Sequence, residues 1–136
     1  MLYIACPYSH PDPEIREHRY RMSCMAASKL FQAGIVAFNP LANSVPAVEF
    51  GGIDLAHSDW MAIDLPILRR SDELLILGLD NWTKSEGVKS EMFEALANAK
   101  PITLIEEKHI ELLPRIPKSA KHFLKSNIFT EVIEDV

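Results

Sequence analysis

The stretch that decides the fold lies at the start of the chain and reads LYIACPYSHPDPEIREHRYRMSCMAASKLFQAGIVAF, residues 2–38. Its opening run, Leu2–Cys6, is short, apolar and ended by Pro7, which predicts a buried strand. Residues 35–38 predict a second strand of the same kind. The segment between the two has a helical pattern, so the chain begins with a βαβ unit.

The predicted helix of this unit has recognisable ends. Asp12 can serve as its N-cap, and Pro13 falls in the first turn, where a missing N–H costs nothing. Gly34 is a typical helix stop. Apolar residues recur at helical spacing between these ends: Ile15, Met22, Ala26 and Leu30.

The middle of the chain begins with a segment of unclear period. Residues 39–57 contain proline, glycine and serine, and we predict a long loop, which in a small domain is usually functional. Ser58 or Asp59 can then cap a helix. Four apolar residues fall on one face of this helix: Trp60, Ile63, Ile67 and Leu68.

A second strand–helix–strand unit follows. Leu74–Leu77 predicts a third strand, Ser85 begins a helix through Ala99, and Pro101–Ile105 predicts a fourth strand. Alternating strands and helices indicate a parallel sheet, and continuously apolar strands indicate that both of its faces are covered. The predicted fold is therefore α/β, a flavodoxin-like or Rossmann-like three-layer sandwich with a parallel sheet of four to five strands.

The chain length of 136 residues predicts a single domain, residues 1–136. Its core spans residues 2–105, and residues 106–136 form a C-terminal extension. We expect three short elements in this extension: a helical turn at Ile110–Leu113, another at Ala120–Lys125, and an alternating strand or swapped tail at Ile128–Ile133.

Composition and charge exclude several classes of function. A net charge of −5 argues against sequence-independent nucleic-acid binding, which needs a positive surface. The two cysteines, Cys6 and Cys24, fit neither a metal site nor a disulfide framework, and the histidines show no paired spacing. No apolar run approaches the roughly 18 residues of a membrane span, and no signal peptide is evident, so a cytoplasmic protein is expected. No dinucleotide fingerprint follows the first strand, and we expect neither a cofactor nor a metal.

Ligands of open parallel sheets bind beyond the carboxyl ends of the strands, near the point where the strand order reverses. The segment Ser85–Glu91 lies there and places a hydroxyl and a glycine at a helix N-terminus. Free N–H groups at this end favour an anion, and Gly87 permits close approach. Glu91 follows one to two turns into the helix, where a carboxylate can attack an anomeric carbon. A helical glutamate is more often a solvated surface residue, so the residues alone do not single out Glu91.

Three motifs in this order carry a family resemblance: Tyr3-Ile-Ala-Cys-Pro-Tyr8, then Asp64 eight residues before Asp72, then Ser85-x-Gly-Val-x-x-Glu91 followed by Ala95. The chain resembles the nucleoside 2-deoxyribosyltransferase superfamily over residues 2–105. Within it the match is closest to the deoxynucleoside 5′-monophosphate N-glycosidases and to an uncharacterised bacterial family of transferase-like domains.

The resemblance implies specific roles. Glu91 matches the nucleophile, and Tyr3 matches the tyrosine that orients it. Asp64 matches the aspartate that binds the substrate and assists protonation of the leaving base. Ser85 matches the serine that contacts a 5′-phosphate, where transferases carry an aspartate for the 5′-hydroxyl. Without the motif, Tyr3 reads as a core aromatic, Asp64 as a surface carboxylate and Ser85 as a simple N-cap.

Two departures from the family pattern bear on the site. Cys6 and Pro7 stand where relatives often have glycine, which predicts a stiffer and more crowded pocket floor. Glu94 lies one turn from Glu91, and if both pointed inward, repulsion would raise one pKa. A surface position for Glu94 is the expected outcome.

Further candidates surround the first loop. A polar, basic cluster follows the first strand and either receives a phosphate or forms a solvated helix face: Ser9, His10, Arg16, His18 and Arg19. Tyr8, Trp60 and Trp82 either stack on a base or belong to the core. His57 is a weaker candidate for a proton shuttle.

The sequence thus predicts an enzyme that cleaves the N-glycosidic bond of a nucleoside or nucleoside 5′-monophosphate, as an N-glycosidase or a 2-deoxyribosyltransferase. The expected catalytic residues are Glu91, Asp64 and Tyr3. The expected substrate-binding residues are Ser85, Gly87, Tyr8, Ser9, His10 and Arg19. The resemblance also implies a homo-oligomer, a dimer or a tetramer. The alternative is a non-catalytic nucleotide-binding or sensing module on the same fold, which the crowding by Cys6 and Pro7 favours.

Overall fold

A computed structural model describes residues 1–123 of the chain. The sheet has five strands in the order β2-β1-β3-β4-β5, the order of flavodoxin-like sheets. The strands are β1 (Leu2–Ala5), β2 (Ala37–Phe38), β3 (Glu73–Gly78), β4 (Ile102–Glu106) and β5 (Lys121–Phe123). The first four are parallel to their neighbours, and β5 is antiparallel to β4. The predicted α/β class and strand number are confirmed, whereas the sheet is mostly and not wholly parallel.

In the part of the chain that the structure describes, four α-helices connect the strands: α1 (Pro13–Gln32), α2 (Pro40–Gly51), α3 (His57–Arg69) and α4 (Glu86–Ala97). Two 3-10 helices, Trp82–Lys84 and Glu107–Leu112, follow β3 and β4. Among the helices of residues 1–123, none combines the length and apolar composition that a membrane crossing requires.

The core has two parts because successive side chains of a strand point to opposite faces of the sheet. Tyr3 and Ala5 of β1 join the cluster that packs against α3 and α4. Ile4 and Cys6 join the other cluster, which packs against α1 and the 3-10 helix after β4. Helices therefore cover both faces, consistent with a three-layer α/β fold.

The first predicted helix has the expected start. Asp12 is the N-cap of α1 and accepts a hydrogen bond of 2.9 Å from the Glu14 N–H, with Pro13 in the first turn. Gly34 has a φ of +75° just beyond the helix, a conformation that glycine adopts without strain.

The predicted loop over residues 39–57 is wrong, because most of it forms α2. Asn39 caps this helix by accepting from the Leu41 N–H at 3.2 Å, Pro40 occupies the first turn, and Gly52 ends it with a φ of +70°. The start and stop signals were present in the sequence. Pro46 within the helix obscured them, since proline is normally a breaker.

Helix α3 differs from its prediction at its start and on its buried face. Its N-cap is Ala56, and Asp59 lies in the first turn, accepting from the Ala56 N–H at 3.0 Å. Ile63 is 48% exposed, whereas Asp64 is buried together with Leu68. The apolar pattern was misread because a carboxylate occupies a buried position of this helix.

The C-terminal extension contains one confirmed element and one error. The turn predicted at Ile110–Leu113 is part of the 3-10 helix Glu107–Leu112. The turn predicted at Ala120–Lys125 is wrong where the structure describes it, because Lys121–Phe123 extends and pairs with the otherwise open edge of β4. The strand or swapped tail proposed for Ile128–Ile133 lies outside the described residues.

Candidate active site

A cleft of about 970 Å³ opens beyond the carboxyl end of β1, where the strand order reverses. Its volume falls within the range of small-molecule sites, roughly 300–1,000 Å³. Walls come from all four α-helices and from the loop after β1. Among the residues that line it are the predicted site residues Glu91, Asp64, Ser85, Gly87, Tyr8 and Ser9.

Glu91 lies on the inner face of α4 and is 5% exposed. Burial raises its pKa to about 8; the nearby Tyr3 hydroxyl lowers the pKa, and the charge of Asp64 raises it. The surface position that is usual for a helical glutamate is thus not observed. Glu91 is a buried, strongly perturbed carboxyl in a cleft, a combination typical of functional sites.

Asp64 reaches the same cleft from α3 and is 7% exposed. Burial raises the pKa of its carboxyl to about 6. Asp64 and Glu91 come from different helices and interact electrostatically through the cleft. The charge of Asp64 thus adds to the effect of burial on the pKa of Glu91.

Tyr3 lies beneath this pair on β1 and is fully buried. Burial and the nearby charges of Glu91 and Asp64 raise the pKa of the phenol. Among residues 1–123, no acceptor lies within normal hydrogen-bond limits of the Tyr3 hydroxyl. The hydroxyl nevertheless lies near enough to Glu91 to lower the pKa of that carboxyl. Tyr3 is packed into the core, next to Phe38, and its polar end lies at the site.

The N-terminus of α4 forms the wall beside the pair. Ser85 is its N-cap and accepts from the Val88 N–H at 3.2 Å, while its side chain lines the cleft. A β-carbon added at Gly87 would lie 3.9 Å from Ser85 Oγ and 4.0 Å from Met61 Cε. Both are ordinary contacts, so glycine is not needed for packing here; its effect is to widen the cleft.

Arg19 and His10 do not line the cleft. Arg19 is buried and donates to the carbonyls of Tyr8 at 3.4 Å, Ser9 at 3.0 Å and Asp80 at 3.1 Å. Its guanidinium thus joins the loop after β1 to the loop after β3. His10 accepts from the Asp12 N–H at 2.9 Å through Nδ1. In this structure both residues organise the loop that carries Tyr8 and Ser9.

The other members of the basic cluster divide between the cleft and the surface. Arg16 lines the cleft and donates to the carbonyls of His10 and Pro11. His18 pairs with Glu107 at 2.8 Å on the opposite side of α1. Of the remaining aromatic and histidine candidates, Trp60 and His57 line the cleft, whereas Trp82 packs against the core.

The two departures from the family pattern have clear outcomes. Cys6 is buried at the cleft floor, with its thiol directed at the carbonyls of Pro7 (3.4 Å) and Arg19 (3.5 Å). The cleft remains open despite this residue. Glu94 is half-buried and paired with Arg69 of α3, so it does not add a charge beside Glu91.

Several cleft residues were missed from the sequence. Glu49, Val45 and Val48 lie on α2, which had been predicted as loop. Tyr20 and Lys84 also line the cleft. The helical spacing of Arg16 and Tyr20, four residues apart on α1, was the one available signal.

The strand order and the position of the cleft define an α/β protein with a cleft at the topological switch point, where ligands of such sheets usually bind. The chain belongs to the family described as a domain of unknown function, DUF1937, whose model matches residues 1–107. That match includes every residue of the cleft. No curated protein matches the chain.

Proposed function

We propose that this protein cleaves the N-glycosidic bond of a nucleoside or nucleoside 5′-monophosphate through a covalent ester on Glu91. The observation that carries the proposal is the placement of two buried carboxyls, Glu91 and Asp64, in one open cleft above Tyr3. The order of the three motifs, which resembles that of the nucleoside 2-deoxyribosyltransferase superfamily, supports the same residues in the same roles.

The first chemical step needs an ionised nucleophile and a proton for the base. The Glu91 carboxylate attacks C1′, and the C1′–N bond breaks with its electron pair going to the base nitrogen, which takes a proton from Asp64. The Tyr3 hydroxyl donates to the non-attacking oxygen of Glu91 and orients the carboxylate. Water, or a second base in a transferase, then displaces the sugar from Glu91.

The sugar end is assigned to the N-terminus of α4. Ser85 and the free N–H groups of the first turn suit a 5′-hydroxyl or a 5′-phosphate. Gly87 leaves the space that such a group needs. Assembly into a dimer or tetramer stays a prediction from the resemblance.

A panel experiment tests the proposed function. The protein is incubated with ribo- and 2′-deoxyribonucleosides and their 5′-monophosphates, and free base is measured by chromatography. Release of base from at least one member is the expected result. Saturable binding of a nucleotide without base release from any member would instead establish the sensing module, which is favoured by the raised pKa of Glu91 because a protonated carboxyl is a poor nucleophile.

The pH dependence of the reaction follows from the ionisation of these two carboxyl groups. With pKa values of about 6 for Asp64 and about 8 for Glu91, one proton is held between these limits, mostly by Glu91, so the reactive form with Glu91 ionised and Asp64 protonated is the minor one. Because a neutral substrate needs one ionised and one protonated carboxyl, kcat/KM should be bell-shaped, with limbs near pH 6 and pH 8. Asp64→Asn should remove the alkaline limb. A flat profile from pH 5 to 9 would contradict the assignment.

A further inference from the structure

The cleft is lined by more carboxylates than cations. Among residues 1–123, the lining includes five acidic residues, Glu17, Glu49, Asp64, Glu86 and Glu91, two basic residues, Arg16 and Lys84, and one histidine, His57. Glu17 pairs with Arg21 at 3.0 Å and Glu86 with Lys89 at 3.7 Å. Glu49, Asp64 and Glu91 have no ion-pair partner within the described part of the chain.

Two of these unpaired carboxyls are buried. Asp64 and Glu91 are 7% and 5% exposed, both line the cleft, and no cation among residues 1–123 pairs with either of them. Burial of an ionised carboxylate is costly unless an opposite charge compensates it. A positively charged ligand in the cleft would supply that charge.

Aromatic rings line the same space. Tyr8, Tyr20 and Trp60 all border the cleft. Tyr8, Tyr20 and the unpaired Glu49 line the cleft together, and burial, Cys24, Glu49 and Tyr8 raise the pKa of the Tyr20 phenol. Electron-rich ring faces together with carboxylates are the usual means of binding an organic cation.

The two basic residues of the lining leave Glu49 and the aromatic rings available to a ligand. The Arg16 guanidinium is turned toward the carbonyls of His10 and Pro11, which hold it against the loop after β1. Lys84 also lines the cleft and directly precedes Ser85, the N-cap of α4, where it suits a sugar hydroxyl or a phosphate.

We infer that the cleft selects N-glycosides whose base carries a positive charge, with the cationic ring held between the aromatic side chains and Glu49. The inference rests on the proposed function and names the substrate class of that site. Cleavage of such a cationic N-glycoside is simpler than cleavage of a neutral nucleoside. Glu91 attacks C1′, the C1′–N electron pair returns to the ring nitrogen, and the base leaves neutral without any proton transfer. Water then attacks C1′ and breaks its bond to the Glu91 oxygen. Glu91 is regenerated as a carboxylate, and one proton of that water passes to solvent.

Nicotinamide riboside and its 1,4-dihydro form make a matched pair of probes, since they differ in ring charge but little in shape. Binding is measured by quenching of tryptophan fluorescence, and release of base by chromatography. We expect the cation to bind about tenfold more tightly than the dihydro form at 50 mM salt. The preference should shrink at 500 mM salt, because added salt shortens the Debye length and screens the charges. Glu49→Gln should lower the preference about fivefold, whereas Glu111→Gln, which removes an exposed charge outside the cleft, should not.

The outcomes separate this inference from the proposed function. Equal binding of the two probes, unaltered by Glu49→Gln or by salt, would overturn the cation preference even if neutral nucleosides are cleaved. Selective binding of the cation without base release from either probe would uphold the preference and reject the glycosidic chemistry. Selective binding with release of nicotinamide supports both.

Discussion

Replacing Glu91 by glutamine should lower base release by at least about 10⁴-fold, the loss that removal of a catalytic nucleophile typically causes. The amide has nearly the same size and fits the same buried position, but it carries no charge and is a poor nucleophile. Base release is followed by chromatography on the best substrate of the panel, and the fold is checked by circular dichroism.

Glu94→Gln is the matched control for this experiment. It makes the same change one turn further along α4, at a side chain that pairs with Arg69 outside the cleft. Its activity should remain within about twofold of wild type. Full activity of Glu91→Gln, or an equal loss in both variants, would remove Glu91 from the mechanism.

The second large effect concerns stability. The folded pKa of Glu91 is raised from 4.5 to about 8 by burial, so folding favours the protonated form. The stability that this protonation provides is fully present below pH 4.5 and is lost as the pH rises to about 8. The shift corresponds to roughly 5 kcal/mol of unfolding free energy at about 1.36 kcal/mol per pH unit.

Glu91→Gln removes this dependence because the amide does not titrate. Urea unfolding at pH 5, 7 and 9 should therefore show wild type losing stability over the range, with the variant the more stable protein at pH 9. In both proteins, a smaller loss of stability remains as the pH rises toward about 6, since burial also raises the pKa of Asp64. Parallel stability profiles for the two proteins would show that Glu91 is solvated in solution.

The two predictions together describe a trade-off between stability and function. A buried glutamate that destabilises the fold at neutral and alkaline pH has no structural advantage over glutamine. Its presence beside Asp64, in a cleft of ligand size, is consistent with a chemical role.

Much of the fold could be predicted from local patterns. The strands β1, β3 and β4 are short apolar runs bounded by turn residues, and α1 and α4 have N-caps at Asp12 and Ser85 that the sequence displays. The errors fall where local rules conflict with tertiary contacts. Pro46 lies inside α2, and Lys121–Phe123 is a strand because an open sheet edge is available to it.

The sequence by itself determined most of the elements, because periodicity and capping are local properties, and the family resemblance of its motifs pointed to the candidates Tyr3, Asp64, Ser85 and Glu91. Only the tertiary structure decided that Glu91 and Asp64 are buried together, since desolvation depends on helices and strands far apart in the chain. It also assigned Arg19 to backbone carbonyls rather than to the cleft. The charge and solvation of a site are collective properties of the packed chain, and no single segment contains them.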